Sequence, residues 1–251
     1  MTHGAFVWYE LATSDTEAAA AFYKQVVGWT VQPVPEMSYA IFLTGETRSA
    51  GLMSLPQHLR EAGIPPHWLG YVAVTDVDAY ADRVRAAGGD VRHPPTDIPG
   101  IGRFAVVADP QGAVFSLFKG ASDGHPDLPM MEPGRVGWHE LYTGDWQKAF
   151  AFYEALFGWS RGQAIDMGPM GTYQLFDYAG ASRGGMMNAP GGMPPHWGFY
   201  LVVQGIDQAI ERVRAGGGEI LHGPQEVPGG AWIIQGRDPQ GAHFALVSAT
   251  R

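Results

Sequence analysis

Hydrophobic and polar positions alternate in short runs along this chain, and glycine and proline break the runs at regular intervals. The run Phe6 to Ala12 predicts a strand. Asp15 and Glu17 then open a helix whose Ala18 to Val27 stretch sets Phe22 and Val26 on one face, and Gly28 ends it. Strands are predicted around Thr30 to Val34, Tyr39 to Thr44 and Ala50 to Leu55. A second round follows, with a strand from Leu69 to Thr75 and a helix from Val77 to Ala87 stopped by Gly88-Gly89. Its strands lie near Asp90 to His93, Gly102 to Ala108 and Ala113 to Lys119, with Asp109-Pro110-Gln111-Gly112 turning into the last. Helices packed on one face of a mostly antiparallel sheet make an α+β fold.

The whole plan then occurs again. Trp8-Tyr9-Glu10-Leu11 is matched by Trp138-His139-Glu140-Leu141, and at the same offset Phe22-Tyr23 is matched by Phe152-Tyr153 and Gly28-Trp29 by Gly158-Trp159. One residue closer, Pro65-Pro66-His67-Trp68 is matched by Pro194-Pro195-His196-Trp197, and Asp109-Pro110-Gln111-Gly112 by Asp238-Pro239-Gln240-Gly241. An offset held this tightly across a whole domain marks an internal duplication. The copies are read as residues 1–120 and 134–251, joined by a Pro-, Gly- and Asp-rich linker over 121–133.

Composition narrows the function classes. The 251 residues, 45% of them hydrophobic, are enough for two domains of common size. Only 16 are Lys or Arg, they form no cluster, and the net charge is -9, so a nucleic-acid partner is not expected. No stretch reaches about 18 apolar residues, so a membrane partner is not expected either. The absence of Cys excludes disulfides, thiolate chemistry and Cys-based metal sites. The Met1-Thr2-His3-Gly4-Ala5 start has neither a basic nor an apolar leader region, which predicts a cytoplasmic protein. Two fused domains can satisfy their pairing within one chain, so a monomer or a homodimer is expected.

The pattern Leu11-x-Thr13-x-Asp15, then Phe22-Tyr23, then Gly28-Trp29, with the closing turn Asp109 to Gly112, resembles the vicinal oxygen chelate superfamily of glyoxalases, bleomycin-resistance proteins and dioxygenases. The doubled Trp-x-Glu-Leu opening and Pro-Pro-His-Trp resemble its two-domain glyoxalase-like "hydroxylase" subfamily. The resemblance implies tandem domains, each of two βαβββ modules curling a sheet around a ligand cleft. It also implies metal ligands at Trp8, Leu69 and Ser116 in copy one, and at Trp138, Gly198 and Ala245 in copy two. None of these six supplies an imidazole or a carboxylate. The expectation is therefore no metal and no cofactor.

Two-residue periodicity puts Trp8 and Glu10 on one strand face, and Trp138 and Glu140 on its repeat. A carboxylate beside an indole can act as a general base or accept a ligand's hydrogen bond, and it can equally pair with a neighbouring strand. His243, on the face of Ala245, is a candidate acid–base partner of Glu140. Tyr71, Tyr200, Tyr39 and Tyr173 are candidate aromatic walls, and Arg103 and Trp232 a pair of unlike lining residues at equivalent positions. His67 and His196 follow prolines at a module boundary and read as loop histidines. The expected function is metal-free binding of a small organic molecule, with Glu-based acid–base chemistry. Two alternatives stand beside it: sequestration without turnover, and a metal-dependent glyoxalase or dioxygenase with displaced ligands.

Overall fold

The computed structural model describes residues 2–35, 37–121 and 130–251, so most of the expected linker lies outside the described residues. Copy one runs β1 (Phe6–Thr13), α1 (Thr16–Val27), β2 (Thr30–Pro33), β3 (Tyr39–Thr44), β4 (Thr47–Ser54), α2 (Gln57–Glu61), β5 (His67–Ala73), α3 (Val77–Ala86), β6 (Asp90–Ile98), β7 (Gly102–Ala108) and β8 (Val114–Gly120). Copy two runs β9 (Val136–Thr143), α4 (Trp146–Phe157), β10 (Ser160–Asp166), β11 (Thr172–Tyr178), β12 (Ala181–Asn188), β13 (His196–Val202), α5 (Ile206–Ala215), β14 (Glu219–Glu226), β15 (Trp232–Arg237) and β16 (His243–Ser248). Two differences from the sequence reading stand out. The short helix α2 was not expected, and β6 continues past Pro94 and Pro95 with two shifts of register. An edge strand tolerates proline because one side of it needs no N–H donors. His67 and His196 are first residues of strands, not loop residues.

Each copy forms one mixed eight-stranded sheet, in the order β2-β3-β4-β1-β5-β8-β7-β6 and β10-β11-β12-β9-β13-β16-β15-β14. β1 pairs with β4, and β5 with β8, in parallel; the outer pairs are antiparallel. α1, α3 and α4 each start at an aspartate cap. Asp15 accepts from the Ala18 N–H at 3.0 Å and Asp76 from that of Ala79 at 3.0 Å, while Asp145 takes the N–H groups of Gln147 and Lys148. Gly28 closes α1 at φ 87°, a left-handed cap that costs glycine little.

The compact units do not follow the copies. Their boundaries fall between Val7 and Trp8, Trp68 and Leu69, Trp138 and His139, and Trp197 and Gly198. One unit therefore joins β5–β8 and α3 of copy one to most of the β9–β12 module of copy two. In it, Arg83 donates to the Ala155 carbonyl at 2.7 Å, and the Tyr80 ring lies parallel to Phe157 across α3 and α4. The other unit joins the β1–β4 module to β13–β16 and α5. There Arg212 donates to the Val26 carbonyl at 3.1 Å, and Phe22, Tyr23, Trp29 and Phe42 share one buried core with Leu201, Ile210 and Phe244.

The most recognisable repeat residues do this joining. Trp68 donates to the Tyr23 hydroxyl at 3.0 Å, which donates to Asp238 at 3.1 Å. In the companion unit Trp197 donates to Tyr153, and Tyr153 to Asp109, at the same distances. Each closing-turn aspartate thus meets the helix tyrosine of the other copy. Burial pushes both carboxyls up from their ordinary value, against the pull of the backbone N–H groups and the tyrosine hydroxyl that bind them. Trp29 donates to the Gly134 carbonyl and Trp159 to that of Gly4, each at 2.8 Å.

Candidate functional site

The side chains of β1 divide cleanly. Leu11 belongs to the core beneath α1, so Trp8, Glu10 and Ala12 point to the opposite face. Register carries that face across the sheet: Glu10 lies opposite Gly51, Ala12 opposite Met53, and Tyr39 opposite Met53 on the other side of β4. The Trp8 indole donates to the Tyr39 hydroxyl at 3.2 Å, and that hydroxyl is also bonded to the Glu10 carboxylate. Burial, then the Glu10 charge, raises the Tyr39 phenol above its ordinary value, so it stays protonated and donates. Gly51 makes the arrangement possible, because a Cβ there would run into the Tyr39 hydroxyl.

Copy two repeats this pattern. Glu140 is buried and sits opposite Gly185, and a Cβ on Gly185 would run into the Tyr173 ring. Tyr142 follows on the same face of β9, where copy one has Ala12, and its ring stacks on His196 at 5.2 Å. The His196 Nδ1 lies 2.9 Å from the Pro194 carbonyl, and His67 Nδ1 lies 2.8 Å from that of Pro65. His139 is a packing residue: it is buried, stacked on Phe6 at 4.4 Å, and donates from Nδ1 to the Arg183 carbonyl at 2.7 Å. Burial lowers its imidazole to about 4.

Tyr71 is buried beside Phe104 and Phe118. Tyr200 is buried, accepts from Gln235 at 2.7 Å, and shares a cluster with Ala245 and Trp138. Arg103 and Trp232 require a correction. Ser116 pairs with both Tyr71 and Val106, so the face of Tyr71 carries Val106 and Phe104, and Arg103 points the other way. There it is bound to Asp78 of α3 at 2.7 and 2.9 Å and to Asp97 at 2.9 Å. Trp232 likewise packs on the core beneath α1 and α5, under the Arg251 guanidinium. His243 is exposed at the start of β16, opposite Arg237. Sequence reasoning passed over Gln235 and Tyr142. Alternation from Glu140 was the signal for Tyr142, whereas Gln235 is placed by the register of β15 on β16 opposite Ala245.

The metal positions implied by the resemblance do not fit a divalent ion. Trp8 offers an N–H without a lone pair, and the Ser116 hydroxyl is spent on the Ala105 carbonyl at 3.0 Å. Leu69, Gly198, Ala245 and Trp138 offer no donor atom. Among the described residues, no three His, Cys, Asp or Glu side chains come together as a metal cluster. No helix among them is long and apolar enough to cross a membrane.

Residues 5–117 and 135–246 both match the model of the Glyoxalase/Bleomycin resistance protein/Dioxygenase superfamily. The chain belongs to this superfamily. It is 33% identical over 246 residues to CFP32 of Mycobacterium tuberculosis, named as a glyoxylase, covering 96% of this chain and 93% of that one. It is 32% identical to the anthracycline biosynthesis protein DauV of a Streptomyces species, covering 97% and 93%. Among solved structures, the Mn(II)-bound glyoxalase of Novosphingobium aromaticivorans shares the fold at TM-score 0.68 and 17% identity, over 100% of this chain and 83% of that one.

Proposed function

We propose that this superfamily member binds a small, planar, oxygen-bearing organic molecule against the Glu10 and Glu140 faces, without the family's metal site. The observation that carries the reading is the Trp8–Tyr39–Glu10 chain laid over Gly51 and echoed by Tyr173 over Gly185 beside Glu140. Flat aromatic surfaces beside one carboxylate suit a conjugated ligand that donates a hydrogen bond. The anthracycline pathway named for the Streptomyces relative points to the same class of molecule. With the carboxylate as acceptor, the chemistry is acid–base: Glu10 or Glu140 removes an acidic proton, and in copy one the Tyr39 hydroxyl bonded to Glu10 steadies the charge. Sequestration without turnover uses the same contacts, and the difference is whether product forms.

Two measurements test this. Elemental analysis of protein prepared without chelator or added metal is expected to find no stoichiometric transition metal; about one equivalent of Fe, Mn, Ni or Zn per chain would overturn the metal-free reading. Titration with planar hydroxyaromatic probes is expected to show binding that weakens roughly tenfold or more in E10Q/E140Q, as a charge-assisted hydrogen bond is lost at each site. Unchanged affinity would remove the glutamates from the site.

A further inference from the structure

His67 and His196 occupy the same place in the two copies, at the head of the first strand of each second module. In β13 the core takes Leu201, whereas Tyr200 clusters with Trp138 and Ala245 on the other face. Alternation from Tyr200 puts His196 on that second face, and the same count from Tyr71 places His67. The stack of His196 on Tyr142, two residues beyond Glu140 in β9, agrees with this placement. Both rings are only partly buried.

Both imidazoles are held by the same device. Two prolines precede each histidine, fixing φ so that the carbonyl of the first is delivered to the Nδ1 of the ring. A carbonyl can only accept, so Nδ1 must carry the proton. A neutral imidazole has one N–H, which leaves Nε2 as a bare lone pair in both copies.

We propose that His67 and His196 are proton acceptors for the bound molecule, taking the proton of a phenolic or enolic hydroxyl on Nε2. This rests on the small-molecule reading above and adds a second base to it. In the step, the ligand O–H bond breaks and an N–H bond forms on Nε2. The electron pair stays on the ligand oxygen as phenolate or enolate, and the ring becomes imidazolium, still donating from Nδ1 to the proline carbonyl. Pro-Pro-His is therefore a device that selects the tautomer, with Tyr142 as a backing plate in copy two.

Ring nitrogen NMR on the 15N-labelled full chain, above the ordinary histidine titration range, tests the tautomer without any ligand. The expected result is protonated Nδ1 and unprotonated Nε2 for both residues, assigned by H67Q and H196Q. A protonated Nε2 in either would overturn the proposal for that copy. The visible spectrum of quinizarin, a dihydroxyanthraquinone whose colour reports its ionisation, tests the proton transfer. Wild type is expected to show the phenolate band at a pH where the free dye is neutral, and H67Q/H196Q to bind the dye in its neutral colour. Persistence of the band in that variant would overturn the role. If wild type binds no planar hydroxyaromatic probe, the small-molecule reading falls and the role falls with it, while the tautomer result stands separately.

Discussion

Gly51 and Gly185 each carry a tyrosine ring in the space where any other residue would place its own Cβ. G51A is therefore expected to dislodge Tyr39 and cost roughly 1–3 kcal/mol, the range for overpacking, with loss of the Trp8 to Tyr39 bond visible in the indole NMR signal. A wild-type indole signal in G51A would show that the phenol has room to spare. His139 gives a pH prediction. Its imidazole is held at about 4 in the folded protein against 6.5 in the unfolded chain. Over that interval only the unfolded chain takes up the proton, so the stability it contributes is full above 6.5 and is lost as the pH falls towards about 4. The loss is on the order of 3 kcal/mol at most. Asp109 and Asp238 work in the opposite sense, because their raised carboxyls favour the folded state as they protonate. Urea unfolding of H139F should show a flatter pH dependence just below 6.5 than wild type; equal slopes would rule out His139 as the source.

At the scale of elements, the start and end of α1 were legible, whereas α2 was not expected and α5 begins at Gly205 without a side-chain cap. Asp15, Asp76 and Asp145 are caps because a short side-chain acceptor ahead of an apolar stripe has one good use, and that rule is local. Face assignment within strands was legible only as far as one strand's own alternation. Glu10, Trp8 and Tyr200 follow from it. Arg103 and Trp232 do not, because their face depends on the register of β7 on β8 and of β15 on β16, which no single strand encodes. The Tyr153 hydroxyl joins α4 to the closing turn before β8. Removing it in Y153F leaves the Trp197 N–H and the Asp109 carboxylate without that partner, and should cost about 1–3 kcal/mol in denaturant unfolding. A loss below that range would mean that water or a neighbour replaces the hydroxyl. Y23F should behave alike, because Trp68 and Asp238 stand in the same relation to it.

At the scale of the whole molecule, the duplication and the compact units cut the chain differently. Each unit draws its core from both copies, so neither copy carries a complete core by itself. Residues 1–121 and 130–251 made as separate chains should each lack a cooperative thermal transition, and mixing them should restore one. Independent cooperative melting of either half would contradict the shared cores. The repeat itself, the α+β class, the Asp15 cap and the family were written in the sequence, because each is a matter of residue type at a given spacing. Two things waited for the tertiary structure: the exchange of modules between copies and the outward turn of Arg103. The reason is physical. Spacing along a chain fixes which side chains share a face, but the partners of those side chains come from strands and helices far away in sequence, and only packing chooses among them.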